Sequence, residues 1–204
     1  MKLISKRMMS VCGAGLLGLG FLSACASPPP VPDDSFYRIS PKAENPGNQA
    51  LDGVVEVARF AASGSLGNRP LLMSNRGSNA VTEYHYHFWI ESPPILLQTA
   101  LVSYLRSSKV AVQVVTPELR VTPDYTVTGH VLRLETLRGS KPAGLVTLEL
   151  SLRRESDGKI MVLDEYRIEV QAAKDRVQDG AVALEHAIDQ AFRKFVADIR
   201  KSPL

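Results

Sequence analysis

The sequence predicts a single α+β domain in which two amphipathic helices pack on a mostly antiparallel sheet. Apolar and polar residues alternate in several short runs, as they do in half-buried strands. Two longer segments instead repeat their apolar residues at helical spacing, and the order of the segments is strands, helix, strands, helix. Since both helices need an apolar partner, the face of a sheet is the expected one. With 204 residues, 45% of them hydrophobic, the chain fits one such domain.

The first half of the domain contains the shorter runs and the first helix. Alternation predicts strands over residues 36–39, 53–60, 70–74 and 80–90. Gly64 and Gly67 among small polar residues mark 61–69 as a loop. A helix over 93–107 follows from Leu97, Leu101 and Leu105 at helical spacing and from prolines at its start, where a helix tolerates them.

The second half predicts an antiparallel meander and a closing helix. Strands are expected over 110–116, 124–137, 145–154 and 160–170. Asp157 and Gly158 separate the last two, and this pair favours a tight hairpin because both residues tolerate positive φ. Residues 175–201 place Leu184, Ile188 and Phe192 on one apolar stripe, which predicts a helix lying on the sheet.

The first 25 residues have the pattern of an export signal. Three positive charges precede an uncharged apolar run over 8–21, which at ~1.5 Å per residue spans ~21 Å, short of a ~30 Å bilayer core. Leu22-Ser23-Ala24-Cys25 resembles the lipobox of bacterial lipoproteins, which implies cleavage before Cys25 and lipid attachment to it. We therefore predict a signal peptide over 1–24, a lipidated Cys25 with a proline-rich tether over 25–36, and the α+β domain over 37–204.

The cysteines and charges exclude several functions for the mature chain. Cys12 would leave with the signal, so Cys25 would remain as a blocked thiol, and neither a disulfide nor a thiol nucleophile is expected. The formal charge of +3 comes from the signal, because Lys2, Lys6 and Arg7 are three of the 24 Lys and Arg residues and 21 remain against 21 Asp and Glu. A neutral mature chain gives no reason to expect a nucleic-acid partner.

Three potential metal ligands alternate on the strand predicted over 80–90. Strict alternation places Glu83, His85 and His87 on one face, an arrangement that could hold zinc, with His130 as a distant fourth ligand. The preferred interpretation is that the two histidines pack beside Trp89 on the outer face and that no metal or other cofactor is bound. Trp89 itself fits either the core or a partner interface. On the opposite face, the alternation places core aromatic residues: Tyr84, Tyr86 and Phe88.

Taken in order, these features resemble the ABC-type transport auxiliary lipoprotein family, which includes the paraquat-inducible type of intermembrane transport lipoprotein. The resemblance covers nearly the whole mature chain. The residues that carry it are the lipobox at Cys25, Tyr37-Arg38-Ile39, the stretch 71–76, Trp89, Glu91, Pro93-Pro94, Leu97, Leu101, Leu105, Asp157-Gly158, Tyr166 and the closing helix.

The resemblance implies a protein that is not an enzyme. It implies an auxiliary lipoprotein of an ABC transporter that works with a mammalian-cell-entry-type substrate-binding protein, with phospholipid as a candidate cargo. Ala26 after the cysteine favours the periplasmic face of the outer membrane. Two other functions stay open: an assembly or pilot lipoprotein of another envelope machine, and a periplasmic metal-dependent hydrolase using Glu83, His85 and His87. The sequence leaves open whether the chain forms homo-oligomers.

Overall fold

A computed structural model of the protein describes residues 31–41, 43 and 47–202, which form nine strands and two helices. The α+β class predicted from the sequence is confirmed. Two short 3₁₀ turns, Gly64–Gly67 and Pro117–Leu119, lie between strands. In chain order the elements are β1 Ser35–Tyr37, β2 Leu51–Val57, β3 Ala61–Ala62, β4 Pro70–Asn75, β5 Val81–Trp89, α1 Pro93–Ser108, β6 Ala111–Val115, β7 Tyr125–Arg138, β8 Ala143–Arg154, β9 Ile160–Gln171 and α2 Val177–Lys201.

The long strand β7 organises the sheet. One of its edges pairs antiparallel with β8 along almost its full length. Its other edge pairs parallel with β2, then with β3 and then with β4. Beyond these, β6 pairs with β2, β5 with β4, and β1 with β5. The result is a curled mixed sheet with β1 at one of its ends.

The meander predicted for the C-terminal half is confirmed, since β8 pairs antiparallel with both β7 and β9. Its second hairpin turns at Gly158, which has φ +70°. The Arg154 guanidinium donates two hydrogen bonds to Asp157, and the backbone N–H of Lys159 donates a third. The hydrogen bonds from Arg154 are the main reason that the pKa of Asp157 is lowered to about 2.

The parallel pairings of the N-terminal strands are where the sheet departs from a simple antiparallel one. Helix α1 connects β5 to β6, and β6 returns parallel to β2. The stretch 61–69, predicted as a loop, contributes the two-residue strand β3, which pairs parallel with β7 at His130 and Val131. Parallel partners lie far apart in sequence, so local alternation predicts the strands but not their pairing.

Both helices cover the inner face of the sheet, where the core lies. Helix α1 contacts β2 and β6, and α2 lies along β8 and β9. Between the two helices, the ring centroids of Tyr104 and Phe192 are 5.7 Å apart. Between α2 and β9, the ring centroids of Tyr166 and Phe195 are 6.0 Å apart. Within the part of the chain that the structure describes, no helix is long and apolar enough to cross a membrane.

Candidate functional site at the β1 end of the sheet

Strand β5, which carries the residues singled out in the sequence, does not alternate strictly. Leu72 of β4 pairs with Glu83, whereas Pro70, two residues earlier on β4, pairs with Phe88, five residues later on β5. Three extra residues therefore form a bulge in β5. A bulge changes the face to which the following side chains point, and for this reason the faces predicted for residues 86–89 from alternation are wrong.

The bulge separates the three predicted metal ligands. Glu83 pairs with Leu72 on the outer face of the sheet, opposite the core residue Tyr84. His87 lies on the inner side, where its ring meets the ring of Tyr84 at 5.7 Å. His85 is exposed. Among the residues that the structure describes, no three His, Cys, Asp or Glu side chains are placed to hold a metal ion, so the arrangement that the hydrolase hypothesis requires is not formed.

His87 connects the edge strand β1 to the core. Its Nδ1 lies 2.9 Å from the hydroxyl of Tyr37, and their rings are 5.8 Å apart. The hydroxyl of Tyr84 in turn lies 3.0 Å from Oγ1 of Thr136 on β7. Burial lowers the pKa of His87 and raises that of Tyr37. A neutral imidazole whose Nδ1 accepts a hydrogen bond from the Tyr37 hydroxyl fits both shifts.

This lowered pKa predicts a loss of stability in acid. Because the folded state holds His87 with a pKa below the ordinary 6.5, the unfolded state binds more protons near that pH. The free energy of unfolding should therefore fall as the pH falls below about 6.5. Asparagine can accept the Tyr37 hydrogen bond without titrating, so His87→Asn should flatten the dependence in urea titrations between pH 5 and pH 7. The exposed control His85→Asn should keep the wild-type slope, and an unchanged slope in both variants would contradict the assignment.

Trp89 packs in the core of the domain. Its side chain is 1% exposed, and its carbonyl oxygen accepts a hydrogen bond of 3.1 Å from Nε of Arg69. Of the two alternatives left open for Trp89, its burial supports the core, because the bulge turns the indole inward. The same bulge turns Tyr86 outward, so the predicted place of Tyr86 in the core is wrong.

The outer side of β1 and β5 instead carries an aromatic surface, which we call the aromatic edge: Phe36, Tyr86 and Phe88. Phe36 pairs with Phe88, and their rings lie 5.8 Å apart. Phe36 is 54% exposed and Tyr86 is 37% exposed. The guanidinium carbon of Arg69 lies 5.3 Å from the centre of the Phe36 ring, a cation–π distance. Exposed aromatic residues beside an arginine are typical of a contact surface.

A second feature of the outer face is a cleft of about 360 Å³ between the first 3₁₀ turn, the β4–β5 turn and β7. Leu66, Leu72, Val81 and Leu132 supply its apolar walls. Glu135, a buried carboxylate, lines it together with Arg133, whose Nε donates a hydrogen bond of 2.9 Å to Glu135 Oε1. We call this the outer cleft. Its volume lies at the lower end of the range for small binding pockets.

A bulge in β7 creates the outer cleft. Val131 pairs with Leu148, whereas Arg133 pairs with Thr147, so Leu132 is an extra residue. After this bulge, Arg133 and Glu135 point outward, although strict alternation would place them on the core side of β7. Strict alternation does not predict the Arg133–Glu135 pair; the signal for it in the sequence is two opposite charges, two residues apart, among the apolar residues of the strand.

Residues 37–196 match the model of one protein family, described as the ABC-type transport auxiliary lipoprotein component. The chain belongs to this family. The match begins at the last residue of β1 and ends within α2, so the auxiliary lipoprotein matches its family across nearly the whole sheet and most of both helices. The resemblance inferred from the sequence is thereby confirmed.

Solved structures support the fold of the auxiliary lipoprotein. A crystal structure of a Xanthomonas campestris protein from the family DUF330 has a TM-score of 0.69 at 19% identity, covering 79% of this chain and 92% of that chain. A second crystal structure, described only as that of an uncharacterised protein, has a TM-score of 0.67 at 15% identity and covers 82% and 99%. No curated protein matches the chain. At these identities, the likeness concerns the fold alone.

Proposed function

We propose that this lipoprotein is anchored in the outer membrane, faces the periplasm and docks a mammalian-cell-entry-type protein of an ABC system that moves lipid between the two membranes. The observation that carries the proposal is the family match over 37–196, which begins soon after the lipobox at Cys25. The auxiliary role of the family supports a positional function rather than a catalytic one. In this proposal, residues 1–24 are the signal, 25–36 the lipidated tether and 37–204 the docking domain; the last two residues of the tether range, Ser35 and Phe36, already pair with β5.

The way the chain enters the sheet supports a tethering role. Cys25 lies outside the described residues, and its lipidation stays a prediction. From Cys25 to Asp34 there are ten residues, including four prolines, and polyproline geometry at ~3.1 Å per residue gives a reach of ~30 Å. The tether leads directly into β1, which pairs with β5 at the end of the sheet. The lipid would therefore hold the domain close to the membrane by this end.

The outer cleft is the surface that we propose for the partner protein. The negative charge of Glu135 is paired with the positive charge of Arg133. The cleft otherwise offers apolar walls and uncharged polar residues: Ser63, Ser65, Ser78 and Asn79. An apolar side chain of the partner could enter such a pocket without leaving a charge unpaired. This chemistry favours a neutral apolar segment of a transport protein over a highly charged ligand.

Photocrosslinking in cells tests the docking surface. The crosslinking amino acid benzoylphenylalanine would replace Val81 in the outer cleft or, as a matched control, Val182 on α2; the two valines are 50% and 53% exposed. We expect mass spectrometry to recover a mammalian-cell-entry-type protein from the Val81 variant and not from the Val182 variant. Secretin or pilus subunits recovered at Val81 would instead support a pilot lipoprotein, and equal recovery at both positions would contradict docking at the cleft.

A further inference from the structure

The aromatic edge has a composition that matches the interfacial layer of a bilayer. It places two phenylalanines and a tyrosine on one side of two neighbouring strands, β1 and β5, and β1 is an end strand of the sheet. Aromatic rings are enriched where the apolar part of a membrane meets its headgroups. Phe36, more than half exposed, is the most accessible member of the surface.

Arginines next to these rings suit the same layer. Arg69 stacks over Phe36, and its Nε donates to the carbonyl oxygen of Trp89, which holds the guanidinium beside the ring. Its terminal nitrogens can donate to phosphate oxygens in a fork geometry. Arg38 is exposed and follows Phe36 by two residues, which favours the same side of the chain. The surface thus combines apolar rings with donors for lipid phosphate.

The short segment between Cys25 and Phe36 keeps the aromatic edge near the membrane. Phe36 lies eleven residues after Cys25, a separation of at most ~40 Å even when fully extended. A surface tied to the bilayer by so short a linker experiences an effective concentration in the millimolar range. A contact whose dissociation constant lies below about a millimolar is then enough to keep the surface on the membrane most of the time.

We propose that the aromatic edge lies in the interfacial layer of the membrane that holds the lipidated Cys25, so that the domain has a fixed orientation rather than hanging from its tether. This inference rests on the lipid anchor of the proposed function. The occupant is a phospholipid surface, recognised by ring insertion and by phosphate binding at Arg69. A consequence is that the rest of the outer face, including the outer cleft, is presented at a defined angle to the membrane.

Fluorescence quenching tests the orientation on the full acylated lipoprotein. The protein would be reconstituted into vesicles of phosphatidylethanolamine and phosphatidylglycerol whose acyl chains carry bromine, a short-range quencher of tryptophan. Phe36→Trp places an indole in the aromatic edge. Leu163→Trp is the matched control on β9, because Phe36 and Leu163 are 54% and 56% exposed and β9 is remote from β1 in the sheet order. Trp89 stays in both variants as a shared buried background.

We expect Phe36→Trp to lose most of its added emission in brominated vesicles and Leu163→Trp to lose little. Equal quenching of the two variants, or none in Phe36→Trp, would overturn the proposal. Flotation of the vesicles separates this result from a failure of the anchor, since a protein that does not float lacks the lipid attachment, whereas one that floats unquenched lacks only the orientation. If Phe36→Trp does not fold, the quenching of Tyr86→Trp, at the same surface, tests the proposal in the same way.

Discussion

A chain carrying Cys25→Ala is expected to disappear from the outer-membrane fraction. If the lipobox directs both lipid attachment and cleavage, alanine removes the only thiol that can accept the lipid, and the signal stays attached. The variant should then remain at the inner membrane or be processed abnormally. Separation of the two membranes on a density gradient, followed by immunoblotting, measures the result, and a larger apparent mass would report the uncleaved signal.

Cys12→Ala is the matched control for this experiment. Cys12 lies within the apolar run of the signal, so its replacement removes a thiol while leaving the lipobox intact. We expect wild-type processing and wild-type fractionation. Unchanged outer-membrane fractionation of Cys25→Ala would refute the lipid anchor, and with it both the tethering role and the membrane orientation of the aromatic edge.

The strongly periodic elements are those that the sequence predicts well. The sequence predicts α1 over 93–107, and the helix spans Pro93–Ser108. It predicts α2 over 175–201, and the helix spans Val177–Lys201. Both have apolar stripes long enough to be unambiguous. The Asp157-Gly158 hairpin was also predictable, because its turn chemistry is local. Pairing among the N-terminal strands was not, since it depends on partners brought together by the tertiary fold.

The candidate site shows why alternation alone is insufficient. Glu83 and His87 fall on one face in a strict two-residue repeat but on opposite faces in the structure, because the bulge in β5 inserts three residues between Glu83 and Phe88. The bulge in β7 likewise turns Arg133 and Glu135 outward. A bulge changes the face to which side chains point without changing the composition of the strand. The aromatic edge and the outer cleft could therefore be found only from the structure, whereas the family and the Cys25 anchor could be predicted from the sequence.

Replacing Gly144 by alanine is expected to destabilise the domain by about 3 kcal/mol, the upper end of the usual cost of overpacking, because there is no room for a methyl group where α2 lies on β8. A Cβ at this position would lie 2.6 Å from the carbonyl carbon of Ala183, which is backbone and cannot rotate away. Helix α2 would have to move off the strand, loosening the contact that buries Leu184. A loss of this size corresponds to a fall in melting temperature of about 5 to 15 °C.

Gly67→Ala provides the control for this substitution, because a Cβ there would meet nothing within 4 Å and the backbone is not in the left-handed region. A change within about 0.5 kcal/mol is expected for it. Thermal unfolding followed by circular dichroism compares the two variants directly. If Gly144→Ala were as stable as Gly67→Ala, α2 could not rest on β8 as closely as described. A large loss confined to Gly144 would show that this one close approach holds the closing helix on the meander.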